Sequence, residues 1–127
     1  RVGLAICFDW IFPEAFRTLA LRGADLVAHC ANLVLPYCQR ADYARAVENR
    51  VYVATANRVG VEERSGRRLA FTGESVLVAP DGEYLARLPT DAAAVAVATV
   101  HPAKARDKRV GDYNDLFADR RPDLYER

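Results

Sequence analysis

Short apolar runs alternate with an amphipathic stretch at the start of the chain. The run VGLAICF (2–8) is short, apolar and partly β-branched, which is typical of a parallel strand covered on both faces. The stretch FPEAFRTLALRG (12–23) spaces its apolar positions as a helix does, and ADLVAH (24–29) is a second apolar run. Strand, helix and strand in this order predict a βαβ unit with parallel strands.

The rest of the chain continues this α/β pattern and adds a hairpin-rich margin to the sheet. The pattern predicts, in chain order, a loop, a helix, a strand, a polar turn, a hairpin and a further strand. These elements are assigned to 31–38, 40–49, 51–60, 63–68, 74–88 and 92–100. The hairpin rests on Asp81-Gly82, a turn signal between two alternating runs. From Pro102 the chain becomes polar, and 120–127 resembles an extended tail.

The composition is that of a soluble globular protein and narrows the classes of function. The chain has 127 residues, the length of one domain, of which 51% are hydrophobic and 28% charged. Lys and Arg total 18 against 17 Asp and Glu, and the net charge of +1 gives no field to attract nucleic acid or an anionic membrane. No apolar run approaches the roughly 20 residues that span a bilayer, and no secretory signal is visible.

The chain has only three cysteines, an odd number, at Cys7, Cys30 and Cys38. We therefore expect reduced thiols and a cytoplasmic location. The cysteines form no CxxC pair and no Cys/His cluster with metal-ligand spacing, so we expect no metal site. The chain contains no Met and begins directly on an apolar run, which leads us to expect a fragment of a longer protein.

Cys7 stands where the first apolar run meets the aromatic and acidic stretch FDWIFPE (8–14). Ligands of open α/β sheets bind outside the carboxyl ends of the strands. A thiol at the start of a helical turn lies beside unpaired N–H groups, which favour a thiolate and a developing oxyanion. Cys7 is therefore a candidate nucleophile on a tight strand-to-helix turn. The alternative is a core cysteine that packs as a small hydrophobe.

A nucleophilic thiol needs a base, and the only histidines are His29 and His101. His29 lies at the end of the second predicted strand, so a Cys/His pair with Cys7 is one hypothesis. The alternative is a histidine whose ring is hydrogen-bonded to the backbone at a strand end. No third group that would orient the imidazole follows from the spacing.

Four blocks of the sequence carry a resemblance to the nitrilase superfamily, the carbon–nitrogen hydrolases. The first, GLAICFDWIFPEAFRTLALRGADLVAHCANLVLP (3–36), resembles the segment with the nucleophilic cysteine. ENRVYVATANRVG (48–60), FTGESVLVAPDGEYLA (71–86) and NDLFADRRPDLY (114–125) resemble the blocks that follow in that family. The blocks occur in order over nearly the whole chain, which is more specific than any single motif.

The resemblance implies a fold and a mechanism. The fold is α/β, the C-terminal half of a four-layer αββα sandwich of the nitrilase type, with residues 1–127 as a partial carbon–nitrogen hydrolase domain whose N-terminal half is absent. The family uses a Glu-Lys-Cys set and a thioester intermediate, takes no cofactor and forms homodimers or larger homo-oligomers. Its Glu and Lys precede the cysteine segment and are therefore expected outside this chain, which we expect to be inactive alone.

Beside the resemblance, the positions of residues next to Cys7 and on the segments that leave the strand ends suggest roles for them. The backbone N–H of Phe8 is the expected oxyanion donor, and Trp10, Ile11 and Asn32 are the candidate substrate-binding residues; ordinary core packing is the alternative for Trp10 and Ile11. Members that cleave carbamoyl amino acids resemble an Arg-Arg pair where this chain has Trp10-Ile11. We therefore expect a small neutral amide or nitrile as substrate.

Several other residues near these motifs are expected to be structural. Helix-start charges, loop-holding polar groups and close packing account for them. They are Asp9, Glu14, Cys30, Glu48, Asn49, Asn57, Arg58, Gly73 and Ser75. Two further hypotheses compete with hydrolysis: a non-catalytic structural half, and a redox-sensing thiol protein in which Cys7 is oxidised without acyl chemistry.

Overall fold

The computed structural model describes residues 1–125 and shows a mixed α/β fold. A 3₁₀ turn (Cys7–Ile11) follows the first strand directly. The strands are β1 (Val2–Ile6), β2 (Leu26–Ala31), β3 (Tyr52–Asn57), β4 (Val61–Arg64), β5 (Arg67–Ala70), β6 (Val76–Val78) and β7 (Tyr84–Arg87). The helices are α1 (Pro13–Leu21), α2 (Cys38–Asn49), α3 (Pro102–Arg106) and α4 (Pro122–Tyr125).

Five strands form one sheet in the order β1-β2-β3-β6-β7. β1, β2 and β3 are parallel, whereas β6 and β7 continue the sheet antiparallel. The predicted parallel βαβ unit and the hairpin around Asp81-Gly82 are therefore confirmed. The polar turn expected at 63–68 is instead the connection of a separate two-stranded hairpin, β4-β5.

The helices α1 and α2 pack on one face of the sheet, and the part of the other face that belongs to β1 is open. Phe16 and Ala20 of α1 and Ala46 of α2 form one buried cluster with Val27 and Val53 of the sheet. The opposite face of β1 is open, because Val2, Leu4 and Ile6 are all exposed. Within residues 1–125, α1 and α2 cover a single face of β1, and a layer that covers its other face stays a prediction. The strand also ends at Ile6, two residues before the predicted end.

The strand expected at 92–100 is absent from the structure, which is a second correction. This segment has no ladder of backbone hydrogen bonds, and Val95 and Val97 are more than nine-tenths exposed. Ala94, Val95, Ala96 and Ala98 line a shallow depression beside β3, β6 and β7, and the segment does not join the edge of the sheet. An apolar run becomes a strand only where a neighbouring strand satisfies its N–H and C=O groups.

The polar end of the chain is more ordered than an extended tail. α3 is tied to the start of β2, because Arg106 donates from Nε and Nη2 to the carboxylate of Asp25 at 2.9 and 3.2 Å. α4 forms at Pro122–Tyr125, within the predicted tail, and residues 126–127 lie outside the described part of the chain. Among residues 1–125, no helix is both long enough and apolar enough to cross a membrane.

Candidate active site

Cys7 occupies the corner at which β1 becomes the 3₁₀ turn. Its φ angle is +44°, in the left-handed region that non-glycine residues rarely adopt. The carboxylate of Asp9 accepts a hydrogen bond from the N–H of Ile6 at 2.9 Å, so Asp9 ties the turn back to the last residue of the strand. This contact confirms the structural role expected for Asp9. Strained backbone of this kind is concentrated at functional sites, which makes the corner a candidate.

The half-buried Cys7 lies in a surface depression at the carboxyl ends of β1, β2 and β3. The residues that line it with Cys7 are Ile6, Cys30, Ala31, Asn32, Ala56, Asn57 and Arg58. Asn32, one of the candidate substrate-binding residues, thus lies on the same depression as the thiol. Trp10 and Ile11, the other two, do not line it.

Trp10 is almost fully buried and packs with Leu33 and Cys38. Its burial favours the core-packing alternative, while Ile11 stays exposed on the turn. Arg45, which sequence reasoning did not single out, holds this part of the turn: its Nε and Nη2 atoms donate to the carbonyls of Trp10 and Ile11 at 3.2 and 3.5 Å. An arginine in the middle of a helix gives no sequence signal for this role.

Phe8 is the second residue of the 3₁₀ turn. The first N–H groups of a helical turn have no earlier carbonyl in that turn to bond. The N–H of Phe8 is therefore free of an intrahelical partner, as an oxyanion donor requires. The Phe8 ring is exposed and makes edge-to-face contacts with Trp10 and Phe12, at centroid distances of 6.2 and 5.8 Å. Its role as oxyanion donor stays a prediction.

His29 is buried, and both of its ring nitrogens have partners. Nε2 lies 2.9 Å from the backbone carbonyl oxygen of Cys7, and Nδ1 lies 3.0 Å from Oγ1 of Thr55. A carbonyl only accepts hydrogen bonds, so Nε2 must carry a proton and cannot take one from a thiol. The Cys/His pair is therefore wrong, and the alternative of a backbone-bonded histidine is confirmed.

Cys38 and Asp42 lie one turn apart on α2, beside His29. Burial raises the pKa of the Cys38 thiol, and the nearby carboxylate of Asp42 raises it further. Ligand atoms of His29, Cys38 and Asp42 lie within 4.8 Å of one another, a grouping that the sequence spacing did not indicate. Hydrogen bonds already engage these groups: Oγ1 of Thr55 lies 2.7 Å from Oδ2 of Asp42 and 3.0 Å from Nδ1 of His29. The cluster thus works as a hydrogen-bonded chain.

Asn57 clamps the loops that surround the depression. Its Oδ1 accepts from the N–H of Leu33 at 2.8 Å, and its Nδ2 donates to Oγ1 of Thr72 and to the carbonyl of Gly73 at 2.9 and 2.6 Å. Oγ of Ser75 accepts from the N–H of Asn57 at 2.9 Å. The loop-holding role of Asn57 is confirmed, whereas Ser75 acts through this hydrogen bond and not through close packing.

Arg58 brings a cation to the depression, which the sequence analysis did not anticipate. Its guanidinium carbon lies 4.1 Å from the ring centroid of Phe71, and Nη1 donates to Glu62 at 2.8 Å. The charge of Arg58 is thus already paired and stacked. Farther from Cys7, Glu48 accepts from Arg45 at 2.9 Å and Asn49 donates to the carbonyl of Arg45 at 2.9 Å, both consistent with the structural roles expected for them.

Comparisons with known proteins agree on one family. The profile of the family "Carbon-nitrogen hydrolase" matches residues 1–110. A protein named nitrilase from Pyrococcus abyssi is 50% identical over 127 residues, which cover 100% of this chain and 47% of that protein. The chain thus spans about half the length of the curated relatives it matches.

Two solved structures show the same fold at moderate identity. A carbon–nitrogen hydrolase from Helicobacter pylori G27 superimposes with a TM-score of 0.66 and 28% identity, over 72% of this chain and 37% of that one. A mutant of the amidase from Nesterenkonia sp. AN1 superimposes with a TM-score of 0.62 and 38% identity, over 71% of this chain and 34% of that one. The latter is described as showing covalent addition of the acetamide moiety of fluoroacetamide at the active site cysteine.

Proposed function

This chain belongs to the carbon–nitrogen hydrolase family, the nitrilase superfamily, and on that premise we propose that the complete protein hydrolyses a small neutral amide or nitrile through a thioester on Cys7. The observation that carries the proposal is the position of Cys7. It is a non-glycine residue at φ +44°, at the carboxyl end of β1, on a depression that it shares with Asn32. Few structural roles require a thiol in such a conformation.

The proposed reaction has two halves. The Cys7 thiolate attacks the carbonyl carbon of an amide, and the resulting oxyanion is held by the N–H of Phe8. The C–N bond then breaks, ammonia leaves with the proton that the thiol gave up, and a thioester remains. Water attacks the thioester, which releases the carboxylic acid and restores the thiol. A nitrile enters the same route through a thioimidate, to which one water adds before ammonia leaves.

The proton transfers in this scheme need a base outside the residues described. His29 is excluded because Nε2 donates to a carbonyl, and Asp9 accepts from the N–H of Ile6. By the family resemblance, a glutamate and a lysine supply these roles, and we propose that this chain is the C-terminal half that carries the nucleophile. The open face of β1, with its row of Val2, Leu4 and Ile6, is consistent with a covering layer supplied by the remainder of a four-layer sandwich.

We propose that the substrate is neutral, because the residues close to Cys7 offer no unpaired cation. A carboxylate is best recognised by a bidentate arginine. Arg58 is the cation that lines the depression, and Glu62 already pairs with it. Asn32 offers amide hydrogen bonds suited to an uncharged polar group. Cytoplasmic location and assembly into homodimers or larger homo-oligomers remain proposals of the same kind.

The test is an assay of the complete protein over short aliphatic and aromatic amides and nitriles. We expect ammonia release by the wild type, its loss in Cys7→Ala, and its retention in Cys30→Ala, which removes a thiol from the same depression. Mass spectrometry of the quenched protein should show an acyl adduct on the peptide with Cys7. Activity that survives Cys7→Ala would contradict the mechanism.

A non-catalytic or redox role is the alternative that this assay separates. If the complete protein releases no ammonia from any of these substrates, the chain is a structural half. If Cys7 forms a sulfenate or a disulfide under mild peroxide without amide turnover, the thiol is a redox sensor.

A further inference from the structure

We propose that His29 is a positioning residue: through a buried chain of hydrogen bonds with Thr55 and Asp42, it holds the peptide plane between Cys7 and Phe8 and so aims the N–H of Phe8 at the developing oxyanion. This inference rests on the function proposed above and adds to it a residue that touches neither substrate nor thiol. His29 and Thr55 are register partners on β2 and β3, and Asp42 reaches them from α2. All three are buried on the helix-covered side of the sheet.

The carbonyl of Cys7 and the N–H of Phe8 belong to one peptide group. In a planar trans peptide these two groups point in opposite directions, and the described chain contains no cis peptide bond. Nε2 of His29 draws the carbonyl of Cys7 toward the buried side, at 2.9 Å. The N–H of Phe8 is thereby directed away from His29, out of the buried side.

The hydrogen bonds allow two arrangements of protons, and both leave Nε2 protonated. In the first, Nδ1 of His29 donates to Thr55, whose hydroxyl donates to an ionised Asp42. In the second, a protonated Asp42 donates to Thr55, whose hydroxyl donates to Nδ1 of a neutral His29. An arrangement with the ring proton on Nδ1 alone and an ionised Asp42 also satisfies Thr55, but it leaves the carbonyl of Cys7 without a donor at 2.9 Å. The contact with Cys7 therefore requires a proton on Nε2, and in the second arrangement Thr55 holds it there by donating to Nδ1.

Burial favours the second arrangement. Asp42 is fully buried, its Oδ1 atom has no hydrogen-bond partner among the described residues, and desolvation raises the pKa of this carboxyl group. Unpaired carboxylate oxygen is costly in an apolar interior, and a proton on Asp42 removes most of that cost. In this arrangement His29, Thr55 and Asp42 are all uncharged. The imidazole therefore places no positive charge beside the half-buried Cys7.

The strain at Cys7 explains why such support is needed. A non-glycine residue in the left-handed region is less stable than in an extended conformation, and it persists only where its surroundings fix it. The 3₁₀ turn is fixed at its start by Asp9 and later by Arg45. The hydrogen bond from His29 is the contact from β2 that reaches the carbonyl of Cys7 itself.

The test compares His29→Leu with His29→Gln in the complete protein. Leucine removes the donor, whereas the amide nitrogen of glutamine lies where Nε2 does and can donate to the same carbonyl. We expect kcat to fall about 100-fold in His29→Leu, the effect of misplacing one oxyanion donor, with KM changed less than about threefold. We expect His29→Gln to recover at least about a tenth of the wild-type kcat.

A second pair of variants covers the case in which His29→Leu does not fold. Thr55→Val breaks the chain between His29 and Asp42 with little change of shape, and Thr55→Ser keeps the hydroxyl. We expect kcat to fall about tenfold in Thr55→Val and to stay near the wild-type value in Thr55→Ser. Wild-type kcat in folded His29→Leu or Thr55→Val contradicts the proposal, as does a folded His29→Gln that is no more active than His29→Leu.

Nuclear magnetic resonance separates this inference from the proposed function. Imidazole ¹⁵N spectra of the wild-type protein should show the proton of His29 on Nε2, and they need no substrate. A protein that shows this proton but releases no ammonia overturns the proposed function alone. A His29 ring protonated on Nδ1 alone overturns the inference, whatever the activity.

Discussion

Cys30 pairs with Ile6 in the parallel register of β1 and β2, so its exposed thiol shares one depression with the thiol of Cys7. The two cysteines differ in backbone conformation as well as in exposure to solvent. Cys7 opens a 3₁₀ turn at φ +44°, whereas Cys30 lies within a regular strand. We therefore expect reactivity at this site to depend on the N–H groups of the turn, which lie beside Cys7 and not beside Cys30.

We predict that Cys7 is the most reactive of the three thiols. The N–H groups at the start of the turn stabilise its thiolate, whereas Cys30 has no such neighbours and burial raises the pKa of Cys38. Limited iodoacetamide labelling of the complete protein, followed by peptide mapping, measures the order Cys7, Cys30, Cys38. Labelling of Cys30 before Cys7 contradicts the argument, and Cys7→Ser provides the background rate of the other two.

We predict that Gly73→Ala destabilises the protein far more than Gly66→Ala. Both glycines have positive φ angles, +56° and +74°, so both substitutions carry a conformational cost of roughly 1 kcal/mol. A Cβ atom at Gly73 would lie 2.2 Å from the carbonyl oxygen of Thr90, whereas one at Gly66 meets nothing within 4 Å. The overlap at Gly73 should add at least about 2 kcal/mol.

Chemical denaturation of the two variants of the complete protein measures this difference. Gly66→Ala is the matched control, because it changes the same residue type in the same region of φ. Equal free energies of unfolding for the two variants would show that the segment around Thr90 moves freely away from Gly73.

The local elements were predictable because their signals are local. The helix α1 begins at Pro13 and ends before Gly23, as the sequence indicates, and the first two strands flank it in parallel. The absence of a strand at 92–100 was not predictable in this way, because apolar composition does not show whether a neighbouring strand is present to pair with its backbone groups. β4 and β5 were missed for the opposite reason: most of their residues are charged and exposed, and Ser65-Gly66 alone marks the turn.

The site was predictable at Cys7 and not in the groups around it. The motif and the strand end indicated Cys7 as the candidate nucleophile, but nothing in the amino-acid sequence shows its left-handed backbone. The contacts of His29 depend on the register of β2 and β3 and on the side of α2 that carries Asp42. Trp10 illustrates the same limit, since the sequence does not distinguish an aromatic residue that faces a substrate from one that packs in the core.

We predict that the complete protein prefers neutral amides or nitriles over N-carbamoyl amino acids. The depression beside Cys7 contains the cation Arg58, and its pairing with Glu62 leaves no free partner for a substrate carboxylate. The ratio of kcat/KM for a short aliphatic amide to that for its N-carbamoyl amino acid counterpart measures the preference. A ratio below one contradicts the prediction. Glu62→Gln frees Arg58 and should shift the ratio toward the anionic substrate.

We predict last that these 127 residues, expressed alone, self-associate and release no ammonia from amides. Near Cys7, the proposed nucleophile, the described residues offer no free base, since Nε2 of His29 donates to the carbonyl of Cys7 and Nδ1 is hydrogen-bonded to Thr55. Val2, Leu4 and Ile6 form an exposed apolar row, and burying each such side chain is worth about 1.5–3 kcal/mol. Covering this row against a second copy is therefore favourable.

Sedimentation of the isolated chain tests this prediction, with Leu4→Glu expected to reduce association. Leu21→Glu, on the exposed side of α1, is the matched control and should leave association unchanged. An isolated chain that is monomeric, or one whose amide hydrolysis is abolished by Cys7→Ala, would show that the covering layer or the missing base is not required.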